Sequence, residues 1–215
     1  MDWVNKHLQI VPINTFIDPI FPVENAIITH AHADHAKPGH NNVLATKHTI
    51  EIMKIRYGEN CANNFQELSF NSPLNVNGVK VTFFPAGHIL GSAQVLLEYQ
   101  KDKINFTGDF KITKDDTCEN FRPVTCDTLV TEATFGLPIF QHPDPEVEIN
   151  KLINSLKNFS NRPHLIGVYA LGKAQRLIKL LRNKGYDETI FIHGALEKIC
   201  DYYIQSGINL SLIHI

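Results

Sequence analysis

No stretch of this chain approaches the roughly 18 consecutive apolar residues that a membrane-spanning helix requires. No membrane association is therefore expected. The N-terminus, MDWVNKHLQIVP, has no basic segment followed by an apolar one, so no secretory signal is expected. Cysteine is scarce. Cys61, Cys118, Cys126 and Cys200 stand far apart and form no Cys-x-x-Cys pair, which argues against a disulfide framework or a zinc ribbon and suits a reducing cytoplasm. A strong charge of one sign is also missing. The formal net charge is −2, so the surface as a whole does not advertise nucleic-acid binding, and only a local basic groove is left open. There is no internal repeat and no low-complexity tract.

What is present is a globular composition, with 43% hydrophobic and 20% charged residues, in a length that suits one large or two small domains. Up to about residue 140 the pattern is β-rich. LQIVPINTFI reads as short extended pieces broken by Pro12. Ala26–Thr29 is a buried strand, with another near Val43–Ala45. Thr46 caps a helix, KHTIEIMKIRY, that puts Ile50, Met53 and Tyr57 on one face and ends at Gly58. Asn77-Gly78 turns one hairpin, Lys101–Lys103 a second, and DTLVTEA is a further buried strand. Beyond that point helices alternate with apolar runs. Asp144 caps a helix with Pro145 at its first position. HLIGVYA and TIFIHG read as strands, each followed by a helix, and this order predicts a parallel sheet. The boundary is expected near Gln141–Asp144.

The chain has 11 histidines, and they cluster. In IITHAHADHAKPGH a strand ends at His30, so His30 and His32 lie on the same side of an extended chain. Asp34 and His35 follow in the turn, and the alanines between allow close approach. Histidine and carboxylate donors so arranged suit zinc, or manganese and iron with more oxygen donors. A histidine-rich surface loop is the bland alternative, and the position at the end of a buried strand weighs against it. His88 in FFPAGHILGSAQ and Asp109 in INFTGDF repeat the device of strand, glycine, then donor. Either alone would be as readily structural.

In this order THAHADHA, PAGHILGSAQ and TGDF resemble the metal motifs of the metallo-β-lactamase fold, an αββα sandwich. Asp18 in TFIDPI is similar to that fold's first acidic motif, which supports ligands without binding metal. The resemblance implies two divalent ions, zinc or manganese. His30, His32 and His88 would hold one, and Asp34, His35 and a bridging Asp109 the other. It also implies a metal-bound hydroxide as nucleophile, which Asp34 could orient.

VTEATFG lies where the β-CASP nucleases of this superfamily carry an acid, which would be Glu132, and YALGKAQRL resembles a strand-to-helix junction in their inserted α/β domain. Residues 12–209 resemble most the bacterial ligase-associated DNA damage response exonucleases. The resemblance implies an incomplete metallo-β-lactamase domain at 1–141 and the start of the β-CASP insert at 142–209. It implies a metal-dependent DNA exonuclease in repair, cytoplasmic, with a functional link to an ATP-dependent DNA ligase and a helicase. An RNA-processing β-CASP nuclease and an inactive binding subunit are the alternatives. Lys173 and Arg176, one helical turn apart behind Gly172, suit phosphate, though a solvated helix face explains them equally well. His193 in FIHGA stands too early to match a later ligand motif of the family, and its role is open.

Family members carry two further motifs that these 215 residues lack. LSLIHI, Leu210–Ile215, is what a transposon end used in sequencing libraries would encode. Residues 210–215 are therefore expected to be an adapter-encoded tail on a fragment, with a second metal short of one ligand and weak activity.

Overall fold

The computed structural model describes residues 3–211. The chain divides into two compact units, Met1–Glu132 and Ala133–Ile215. This division falls ahead of the expected boundary near residue 141.

The first unit holds two five-stranded sheets. One contains β1 (Gln9–Ile10), β2 (Thr15–Ile17), β3 (Asn25–Ile27), β4 (His40–Ala45) and β5 (Ala62–Glu67) in that order. It is parallel except for β1 against β2. The other contains β6 (Pro73–Val76), β7 (Val79–Pro85), β8 (Ala93–Tyr99), β9 (Asp102–Phe106) and β10 (Thr128–Val130). It is antiparallel except for β9 beside β10.

Side-chain alternation builds the layers. Ile27 points into the space between the sheets with Val81, Phe83, Val95, Leu97 and Ile104. Its neighbours Ala26 and Ile28 point the other way, onto helix α1 (Lys47–Tyr57) through Ile50 and Met53. The unit is thus a helix on a sheet on a sheet, part of the expected αββα sandwich. Thr46 caps α1 by accepting the Thr49 N–H, and Gly58 ends it. The first hairpin turns at Asn77-Gly78, both at positive φ, and the second at Gln100-Lys101, one step ahead of the expected Lys101–Lys103. Strand β5, ANNFQE, was not legible because its outer residues are polar.

The second unit contains α2 (Pro145–Asn158), α3 (Lys173–Asn183) and α4 (Gly194–Gln205). Asp144 caps α2 and His193 caps α4, accepting the Ala195 N–H. The expected parallel sheet is not there: HLIGVYA and TIFIHG carry no ladder, and no strand follows Val130 among the described residues. A strand persists only when neighbours satisfy its backbone and cover its side chains. Leu165 is 96% and Phe191 75% exposed, so no layer covers either run. Of the expected adapter tail, Leu210 is buried and its carbonyl accepts from Arg182, as does that of Ser211. Residues 212–215, His214 included, lie outside the described residues. No helix among the described residues is long and apolar enough to cross a membrane.

Candidate metal centre

Strands β7 and β9 flank β8, and both run antiparallel to it. They therefore run in the same direction and release their following loops at the same edge. His88 comes from the first of these loops and Asp109 from the second. The loop after β3 brings His30 and His32 to the same place. His30 Nε2 lies 3.1 Å from His32 Nδ1, and His88 Nε2 also lies 3.1 Å from His32 Nδ1. Asp109 Oδ2 is 3.8 Å from His30 Nε2 and 3.6 Å from His88 Nε2. These four residues form a set able to hold one cation.

The proton bookkeeping supports that reading over a hydrogen-bonded cluster. Asp18 accepts the Thr29 N–H at 2.7 Å and the Thr29 hydroxyl at 2.6 Å. With its proton committed to Asp18, the hydroxyl can only accept from His30 Nδ1, 3.1 Å away. His30 then carries its proton on Nδ1 and presents a bare Nε2. His32 Nδ1 has one lone pair and cannot accept from two neighbours at once. Three converging ring nitrogens at this spacing match the edges of a tetrahedron around zinc, where bonds of ~2.0–2.1 Å put donors about 3.3 Å apart.

Electrostatics agree. Burial, reinforced by His35, His32 and His88, holds His30 well below the ordinary imidazole range. Burial and the neighbouring His32 push His88 down to about 4, against the opposing carboxylates of Asp109 and Glu132. Both rings are neutral donors at pH 7.

His35 differs. Its Nδ1 sits 2.8 Å from Asp18 Oδ2, and its Nε2 faces Asp109 Oδ1 at 3.4 Å and Asp34 Oδ2 at 3.8 Å. Burial pulls its pKa down, but hydrogen bonds to Asp109 and Asp18 and their charges outweigh it, raising His35 to about 10. The hydrogen bond from His35, despite burial, holds Asp109 below the usual carboxylate range. Asp18, His30 and His35 also offer donor atoms within reach of one ion, but both Asp18 oxygens are already committed, which suits a role in orienting His35. Asp34 belongs to neither set and meets the second only through His35, with a side chain 78% exposed.

Glu132 is half-buried and close enough to His88 to act on its charge. Lys173 and Arg176 lie in the other unit, in the first turn of α3. Lys173 is exposed, with its ammonium 4.9 Å over the Tyr169 ring, and Gln175 Oε1 accepts the Gly172 N–H.

Two supporting residues were missed from sequence. Thr29 relays between Asp18 and His30. Ser92 Oγ accepts the N–H groups of His88 and Ile89 at 3.0 and 3.1 Å and fixes the His88 loop. Both stand inside quoted motifs, but a hydroxyl beside a ligand carries no pattern of its own. His40 is buried, with Nδ1 accepting the Val23 N–H, and belongs to β4.

Residues 2–148 match a family model described as the Beta-lactamase superfamily domain. Over 209 residues the chain is 29% identical to a protein of Opitutus terrae named "Probable DNA ligase", covering 94% of this chain and 20% of that protein. It is 37% identical over 145 residues to "Endoribonuclease ysh1" of Aspergillus fumigatus, covering 65% of this chain and 16% of that one. The chain thus spans a fifth or less of the length of these curated relatives. A solved structure of a protein of unknown function from Enterococcus faecalis superposes with a TM-score of 0.58 at 16% identity, covering 85% of this chain and 49% of that one. That likeness bears on fold alone. With two packed sheets, histidines and an aspartate gathered at one edge, and a family match over most of its length, the chain belongs to the metallo-β-lactamase superfamily.

Proposed function

We propose that the chain belongs to a two-metal phosphodiester hydrolase, a DNA exonuclease of the ligase-associated repair kind. The observation that carries the hydrolase reading is the convergence of His30 Nε2, His32 Nδ1 and His88 Nε2 beside Asp109. In this reading His30, His32, His88 and Asp109 hold one divalent ion, zinc or manganese. Asp109 reaches with His35 and Asp34 toward a second, and Asp18 fixes His35. Ions held there would neutralise the anionic phosphodiester and make water nucleophilic near neutral pH.

The chain's own groups do the remaining work. The exposed Asp34 carboxylate, 3.8 Å from His35 Nε2, can orient a water, and Glu132 is near enough to act on the charge of His88. Residues 142–209 begin the β-CASP insert, where Lys173 and Arg176 contact backbone phosphates. DNA as substrate is supported by the ligase name of the Opitutus terrae relative, which also motivates a link to a DNA ligase, while the link to a helicase and the cytoplasmic setting rest on the family resemblance. The Aspergillus fumigatus endoribonuclease favours the second reading, an RNA-processing nuclease of the β-CASP group.

End-labelled single-stranded DNA and RNA of matched sequence, incubated with the chain and Mn²⁺ or Zn²⁺, separate the two. Stepwise release of mononucleotides from DNA is expected. Internal cuts confined to RNA would replace this reading with the second. Cleavage undiminished by His32→Ala would refute the site.

A further inference from the structure

Helix α1 touches both histidine-bearing loops, one with each end. At its start the hydroxyls of Thr46 and Thr49, both buried, lie 2.7 and 3.2 Å from the carbonyl of Gly91, in the loop that carries His88. Gly91 has no room for a side chain there, because a Cβ would stand 2.8 Å from Thr46 Oγ1. In the last turn of α1, Arg56 donates from Nη1 to the carbonyl of Ala31. Ala31 is fully buried and lies between His30 and His32.

The backbone of that loop is also held before and after this point. Thr29 N–H is held by Asp18, and the His32 carbonyl accepts from His35 and Ala36 at 3.1 and 2.8 Å. The Ala31–His32 peptide between them has Arg56 to orient it. A charged donor makes a strong hydrogen bond, and the planar fork holds a fixed direction.

We propose that α1 is a strut that sets the spacing of the two ligand loops, and that Arg56 is a positioning residue that aims His32 Nδ1 at His30 and His88. Without Arg56 a buried carbonyl loses its partner. The peptide rotates to recover one, and His32 moves with it. The proposal rests on the metal reading of the cluster.

Zinc titration calorimetry on the metal-free chain tests it, alongside thermal melting of the same samples. Arg56→Ala should weaken zinc binding about 10- to 100-fold, the usual effect of removing a group that orients a metal ligand. Arg56→Lys keeps a donor without the fork and should recover part of the loss. Lys54→Ala, on the same helix with an ion pair to Glu51, should bind as wild type does. If Arg56→Ala does not fold, Arg56→Lys carries the test and must bind zinc at least about threefold more weakly than wild type. Affinity within about threefold of wild type in whichever variant carries the test overturns the proposal. Absence of zinc binding by the wild-type chain overturns the metal reading and this proposal together, whereas tight wild-type binding with an indifferent variant overturns this proposal alone.

Discussion

His35 is the residue whose chemistry depends most on whether the centre is filled. Without metal it lies between Asp18 and Asp109 and keeps its proton to about pH 10. In the proposed function His35 is a metal ligand, which must be neutral, so binding would displace that proton. At pH 7.5 zinc binding should therefore release about one proton per chain from this ring. Calorimetry in buffers of different ionisation enthalpy reads that number, and a proton count near zero would contradict it. The same shift fixes a stability trend for the metal-free chain. The folded pKa of His35 lies above its ordinary value of 6.5, so its contribution is complete below about pH 6.5 and is lost as pH rises through about 10. Sequence shows His30, His32, Asp34 and His35 as neighbours. It does not show which nitrogen His30 offers, because that depends on the relay from Asp18 through the Thr29 hydroxyl, and Thr29 follows a different strand than Asp18 does.

Strand ends deliver the donors, and the glycines before His88 and Asp109 let loops meet. Gly108, at φ +53°, is where this matters most. A Cβ there would stand 2.8 Å from Thr29 Oγ1, the atom that links Asp18 to His30. Gly108→Ala should cost about 1–3 kcal/mol from backbone strain and overpacking. Urea denaturation of the two metal-free proteins measures it, and an unchanged midpoint would contradict the close packing. The elements of the first unit were legible because each apolar alternation in it finds a sheet to join, as Ala26, Ile27 and Ile28 do by facing opposite layers. Strand β5 was not, because its exposed Asn63 and Asn64 make no apolar pattern. The two apolar runs of the second unit failed in the opposite sense. Their composition is that of buried parallel strands, but a strand is a property of a pair, and no partner strand lies beside them among the described residues. The helices α2, α3 and α4 form their own backbone bonds, and the cap expected at Asp144 is the one that holds α2.

For the molecule as a whole, composition excludes little beyond a membrane-spanning helix, while the clustering of histidines carries most of the functional signal. The net charge of −2 gives no hint of a nucleic-acid substrate, and neither does the histidine cluster, which hydrolases of many kinds could share. The step from hydrolase to nuclease rests on TEATFG and YALGKAQ and on the named relatives, so it stands apart from the geometry. The geometry makes a narrower claim, that these particular side chains bind divalent metal. Metal content of the purified chain, measured by mass spectrometry after equilibration with zinc and removal of the excess, tests that claim most directly. Two zinc ions per wild-type chain are expected, with at least one lost in His32→Ala while the fold is kept. A wild-type chain that retains no zinc, or a His32→Ala chain that retains as much as wild type, would contradict it.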